Sequence, residues 1–261
     1  MLNALWVSKT GLEAQDLALT TVSNNLANVS TTGFKKDRAV FEDLLYQIQR
    51  QPGANSSADS RLPSGLQLGT GVRTAGTQKI FTTGSLQLTD QPLDMAINGR
   101  GFFQIAMPDG TIGYTRDGTF HINNEGVVVN VNGYPLEPQI TIPEQTNQLT
   151  VSKDGIVQAT LFGDPTPQEL GQIETVDFIN PAGLQAVGGN VFYETAASGA
   201  PQVGVPNEEG FGTVEQGALE NSNVEVVEEL VKMITVQRSY EMNSKVVSAA
   251  DQMLQFLTQN V

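Results

Sequence analysis

Histidine occurs once in the 261 residues, at His121, and cysteine does not occur at all. A serine nucleophile with a histidine base would have to use His121, and no Gly-x-Ser-x-Gly turn accompanies it. Zinc sites draw several ligands from histidine and cysteine, so one imidazole is too few, and there is no sulfur for thiolate or disulfide chemistry. In Phe120-His121-Ile122 a strand would turn the imidazole opposite its apolar neighbours, toward solvent. Asp109, Asp117 and Asp154 each precede a glycine, where turn aspartates sit for backbone reasons, and no spacing singles out a catalytic carboxylate pair. Gly99-Arg100-Gly101-Phe102-Phe103-Gln104 has glutamine where a dinucleotide fingerprint has its third glycine, and Gly69-Thr70-Gly71 lacks the lysine of a phosphate loop. The expectation is a protein with no catalytic, metal or cofactor site.

Charge narrows the partners. The net charge is -14, from 14 Lys+Arg against 28 Asp+Glu, whereas nucleic acid and anionic membranes reward a basic surface. Met1 to Val7 has neither a basic start nor a long apolar run, so no cleavable signal peptide is expected, and nothing elsewhere could span a bilayer.

With chemistry excluded, the elements themselves carry the signal. Toward the C-terminus, Met233, Val236, Tyr240, Asn243, Val247, Ala250, Leu254, Leu257 and Val261 alternate spacings of three and four, the seam of a coiled coil, with Val226 and Leu230 leading into it. Ser222-Asn223-Val224-Glu225 matches a capping box, so the helix is expected from Ser222 to about Asn260, roughly 50 Å at 1.5 Å per residue. At the N-terminus Leu5, Ser8, Leu12, Gln15, Leu19, Val22, Leu26 and Val29 repeat the spacing, with Gly11 weakening the helix by about 1 kcal/mol. Two unpaired stripes would leave a large apolar surface in water. Pairing the termini, or stacking them with other copies, removes it.

Ser30-Thr31-Thr32-Gly33 ends the first helix in a turn. Phe34 to Gln49 fits either a short helix or extended packing. Gln51 to Gly65, including Pro52, Gly53, Pro63 and Gly65, is small, polar and rich in breakers, as a long loop or arm would be. From Gly71 the apolar period changes to two, and Asp109-Gly110, Asp117-Gly118, Glu125-Gly126 and Asn132-Gly133 recur about every eight residues, which predicts an antiparallel meander. Asn98-Gly99-Arg100-Gly101 is expected to turn between two strands. The expected fold is α+β: N- and C-terminal helices forming a coiled coil, an extended arm and an inserted, mainly antiparallel β domain. The expected divisions are 1–30, 31–70, 71–220 and 221–261.

Specific motifs add a resemblance. Ser23-Asn24-Asn25-Leu26-Ala27-Asn28-Val29-Ser30-Thr31-Thr32-Gly33-Phe34-Lys35 closely resembles the N-terminal motif of the bacterial flagellar axial proteins. Pro92 to Phe103 and Tyr114 to Gly118 resemble the central signature of the rod and hook branch, and Glu229 to Ile234, Gln237 to Asn243 and Asp251 to Leu254 its C-terminal motif. Phe41 to Gln67 looks most like the distal-rod members. The resemblance implies a structural protein that self-assembles as a helical polymer in the basal body, spanning the periplasm, and is exported by the flagellar type III apparatus. It implies proximal rod, hook and L and P ring proteins as partners. The expected assembly residues are Leu5, Leu12, Leu19, Val22, Asn24, Asn25, Leu26 and Asn28 at one end. At the other they are Leu230, Met233, Val236, Tyr240, Asn243, Val247, Leu254 and Leu257, with the arm between. A proximal rod or hook protein is the near alternative; a secreted β-rich binding module or hydrolase is the alternative of another class.

Overall fold

The computed structural model describes residues 2–53, 55–57, 60–61, 64–208 and 210–259; Pro63 and Val261 lie outside them. The chain forms two compact units. The first comprises Met1–Leu26, Asp37–Gln78 and Glu225–Val261; the second comprises Ala27–Lys36 and Lys79–Val224. The segment expected as an arm is thus divided, its first residues clustering with the β-rich unit and the remainder with the helices.

Two helices dominate the first unit, α1 (Leu2–Ala27) and α2 (Val226–Gln259). The leucine repeat carries α1 to Ala27, where the chain turns with a Thr31 N–H to Asn28 O bond of 3.2 Å and Gly33 at φ +67°. α2 starts later than its Ser222 motif predicts. Ser222 Oγ accepts the Val224 N–H at 3.3 Å, and the first helical carbonyl is that of Glu225, bonded to the Glu229 N–H at 3.0 Å. The capping box gives way because Asn221 and Asn223 are already bonded to residues 36 and 80–85, which holds the backbone out of the helix. Glu228 and Glu229 then occupy the first turn, where the helix dipole favours negative charge.

Between the helices in sequence, the described residues of 37–79 pair as a two-stranded antiparallel ribbon. Asp37–Asp43 pairs with Val72–Lys79, Tyr46–Arg50 with Leu66–Gly69, and Asn55–Ser57 with Ser60–Arg61. The ambiguous stretch from Phe34 is therefore largely extended. A lone pair of strands is marginally stable in water, and this one leaves Leu45, Tyr46, Ile48, Leu66 and Leu68 exposed.

The second unit is built around Phe102–Ala106, the strand most enclosed by others. Its sheet runs in the order Gln185–Gly188, Val191–Tyr193, Ile112–Thr115, Phe102–Ala106, Thr175–Asp177, Gln202–Gly204, with Leu136–Glu137 also bonded to Phe102–Ala106. Consecutive residues on a strand face opposite sides, and here both sides are cores. Phe102 packs with Tyr114, Val176, Phe178 and Phe192; Phe103 packs with Met95, Ile97, Phe120, Leu136, Ile140 and Ile173. Edge-to-face rings tighten both, at 5.3 Å for Phe103–Phe120 and 4.8 Å for Tyr114–Phe178.

The antiparallel expectation holds, but the order is not a simple meander. Met95–Asn98 does not pair with Phe102–Ala106 across the Gly99 turn; it pairs with Thr213–Gln216. Asp117-Gly118 is no hairpin turn either. Asp117 Oδ1 accepts from the Thr119 N–H at 3.1 Å, and the bare Cα of Gly118 lets its carbonyl take the Met95 N–H at 3.0 Å. A three-stranded sheet, Thr146–Val151, Ile156–Leu161 and Asp164–Gln172, completes the unit. One of its two outer strands, Thr146–Val151, is capped at its end by a side chain: Gln216 accepts the Val151 N–H at 2.9 Å and donates to Leu149 O at 3.1 Å and Pro92 O at 2.7 Å.

Candidate assembly site on the terminal helices

Two contacts fix how α1 and α2 meet within the first unit. Asn25 Nδ2 donates to Glu229 Oε2 at 3.2 Å, and Gly11 lies against the Asn243 amide. From residue 25 to 11 is 14 positions, as is 229 to 243, taken in opposite directions, so the helices are antiparallel with a common rise of about 21 Å between the two contacts.

The Asn25 end is a closed polar knot. Asn25 is 1 % exposed; its Nδ2 also donates to Asp37 O at 2.9 Å, and its Oδ1 accepts the Asp37 N–H at 2.9 Å. Glu229, equally buried, accepts from Lys232 Nζ at 2.9 Å through its other oxygen, and Lys232 also reaches Glu228 at 2.8 Å. Burial works to lower the Lys232 pKa, but the hydrogen bonds to Glu228 and Glu229 outweigh it and the value rises. One amide therefore ties the last turn of α1, the start of the ribbon and the first turn of α2.

On α1 the expected stripe is the sheltered one: Val22 is buried, and Leu5, Leu12, Leu19 and Leu26 are half-buried, as is Asn28 beyond the helix end. Asn24 is exposed, and Asn28 Oδ1 accepts the Thr31 hydroxyl at 3.2 Å. On α2, Met233, Val236, Asn243, Val247 and Leu254 are half-buried, while Leu230 and Tyr240 are 43 % and 46 % exposed. Leu257 belongs to α2, but its side chain lies outside the described residues. The sheltered face of α2 runs through Glu229, Ser239 and Ala250 rather than Leu230 and Tyr240. Sequence reading passed over Glu229 because a carboxylate is normally a surface residue. The available signal was Glu228-Glu229 placed four and three residues before Lys232.

α2 also carries a second apolar stripe on its far side. Val227, Val231, Ile234, Met242, Val246, Met253 and Phe256 recur near helical spacing and are 49 to 68 % exposed. Near the start of α1, Trp6, Val7, Leu68, Thr70 and Val246 line an open groove of about 460 Å³ with no charged residue in its wall. Pro52 and Gly53 are exposed in a turn of the ribbon, and Gly65 approaches Arg50 O so closely that a Cβ there would lie 2.5 Å from it. Among the described residues, no group of three or more His, Cys, Asp or Glu could hold a metal, and His121 is exposed.

These helix faces stand in a chain with known relatives. Residues 5–35 match the flagella basal body rod protein family, 96–159 the flagellar hook protein FlgE/F/G D1 domain, and 215–260 the flagellar basal body rod FlgEFG protein C-terminal family. Flagellar basal-body rod protein FlgG of Buchnera aphidicola subsp. Schizaphis graminum is 52 % identical over 259 residues, which cover 99 % of this chain and all of the relative. The chain belongs to the flagellar basal-body rod protein family. FlgG of Caulobacter vibrioides is 48 % identical over 99 % of both chains, and that of Bacillus subtilis 35 % identical over 98 % of both. This is a family of structural proteins, so the rod protein is not an enzyme, as its residue types predict. No helix among its described residues is long and apolar enough to cross a membrane.

Proposed function

We propose that this rod protein polymerises through its terminal helices into the distal rod, a hollow shaft that passes motor torque to the hook. One observation supports this above the rest: α2 is apolar on two sides, and its own chain shelters only one. Burying a Val, Met or Phe stabilises by about 1.5–3 kcal/mol, so the stripe from Val227 to Phe256 favours contact with further copies. The two faces together make α2 a wall element, coiled-coil-like on one side toward α1 and on the other toward a neighbour. The exposed apolar residues of the ribbon suit an arm that lies on an adjacent copy and stiffens the shaft. The proximal rod and hook proteins would meet the two ends of such a polymer, and the L and P ring proteins its outside. In this reading the flagellar export apparatus delivers the protein to the periplasm.

Polymerisation of the purified protein, followed by electron microscopy, tests the proposal. Val231→Asp and Ile234→Asp change exposed positions, so each monomer should keep its thermal stability while polymer is lost. Normal polymer from both variants refutes the assignment. Deleting residues 51–66 should leave a more bendable shaft; unchanged stiffness favours the proximal rod or hook reading instead.

A further inference from the structure

The chain passes between its two units at four points, 26/27, 36/37, 78/79 and 224/225. On the side of the second unit, three segments lead to these points: 27–36, 79–84 and 218–224. They are bound to one another by side chains that no single segment could satisfy. Lys35, 1 % exposed, puts Nζ 2.6 Å from Glu220 Oε1 and donates to Thr82 O at 2.8 Å. Glu220 is fully buried; Oε1 also accepts the Gly84 N–H at 2.8 Å, and Oε2 lies 3.4 Å from Arg116. Arg116 is held in turn by Gly99 O at 2.7 Å and Ile97 O at 3.3 Å. Asn223 does the same work without charge, accepting the Lys36 N–H at 2.8 Å and donating to Ile80 O at 2.8 Å and Thr82 Oγ1 at 3.0 Å.

Backbone bonds close the remaining gaps. Gly33 N–H donates to Glu220 O at 2.8 Å and Ile80 N–H to Lys36 O at 2.9 Å. The packing is also close: a Cβ on Gly84 would overlap the Asn221 carbonyl, so 79–84 and 218–224 touch directly, and one on Gly33 would lie 2.7 Å from the Arg116 carbonyl carbon.

We propose that Lys35, Glu220 and Asn223 form a clamp that makes the three segments one cooperative element, so that none leaves the second unit without the others. The physical reason is the cost of partial release. Withdrawing residues 27–36 leaves Glu220 Oε1 without its ammonium and the carboxylate with only the 3.4 Å contact to Arg116, and withdrawing 218–224 strands both the Lys35 ammonium and the Arg116 guanidinium; a buried charge that loses its partner is strongly unfavourable. Opening one segment therefore removes the reason for the next to stay. Any displacement of one of the segments is therefore shared by all three. The clamp does not depend on the rod reading.

Amide hydrogen exchange on the full chain tests it, comparing Asn223→Ala and Lys35→Met with the unaltered protein. In Asn223→Ala, the amides of Gly33, Lys36, Ile80 and Gly84 should lose protection together, by about tenfold or more, while those of Phe102–Ala106 stay unchanged. Lys35→Met should release the same group. Faster exchange at Lys36 alone in Asn223→Ala means independent anchors and overturns the clamp. Loss of protection spreading through Phe102–Ala106 in both variants also overturns it, because the residues would then serve the core as a whole.

Discussion

Gly11 of α1 faces Asn243 of α2 so closely that a Cβ at position 11 would lie 3.0 Å from Asn243 Nδ2. The glycine that weakens α1 as an isolated helix is what lets the two helices approach, and the polar member of the α2 stripe is the residue it admits. Gly11→Ala should be nearly neutral, since the amide end can shift and alanine favours the helix by about 1 kcal/mol. Gly11→Leu should destabilise the first unit by about 1–3 kcal/mol through overpacking. Urea unfolding followed by helical circular dichroism distinguishes the two.

Asn25→Ala should cost about 1–3 kcal/mol, because the Asp37 carbonyl and one Glu229 oxygen lose a buried donor. Asn25→Asp should cost more, since it replaces that donor with a carboxylate facing Glu229. The order of the two melting temperatures checks this: an Asp variant more stable than the Ala variant contradicts the hydrogen-bond assignment.

Leu19→Asp and Leu254→Asp place charges on the sheltered stripes of α1 and α2. Each should abolish polymer while leaving the second unit folded, which its near-ultraviolet dichroism from the Phe and Tyr cluster reports. Normal rods from either variant would show that assembly does not need α1 and α2 paired along these stripes.

Burial holds the Lys35 pKa below its ordinary 10.5, with Glu220 opposing the shift and Arg116 adding to it. In the window between that lowered value and 10.5 the folded protein binds fewer protons at this site than the unfolded chain, so this site contributes rising stability as pH rises. Relative to Lys35→Met, the unaltered protein should gain stability as pH is raised from neutral toward 10.5. Urea midpoints at several pH values measure the difference, and a falling difference would contradict the shift.

The helices were legible because their apolar spacing is a property of the segment itself: Leu5 to Leu26 and Met233 to Leu254 repeat with the helix and nothing distant is needed to see it. Strand order was not, because Met95–Asn98 takes its partner from Thr213–Gln216, and no local pattern records a pairing across more than a hundred residues. Asp117-Gly118 misled for a related reason. Glycine there serves a close approach to Met95 rather than a turn, and the two uses look alike in sequence. The buried charges were the least legible. Lys35, Arg116, Glu220 and Glu229 read individually as surface residues, and only their partners, up to 204 positions away, make burial affordable.

Gln216 sits where a further strand would otherwise add to Thr146–Val151, its amide imitating a peptide group. Exposed strand edges invite pairing with other chains. In a polymer, identical subunits are held side by side at enormous local concentration, the condition under which such pairing would run into tangled aggregates. One glutamine side chain denies that route along the stretch it covers, which would leave the helix faces proposed above as the grammar by which copies recognise one another.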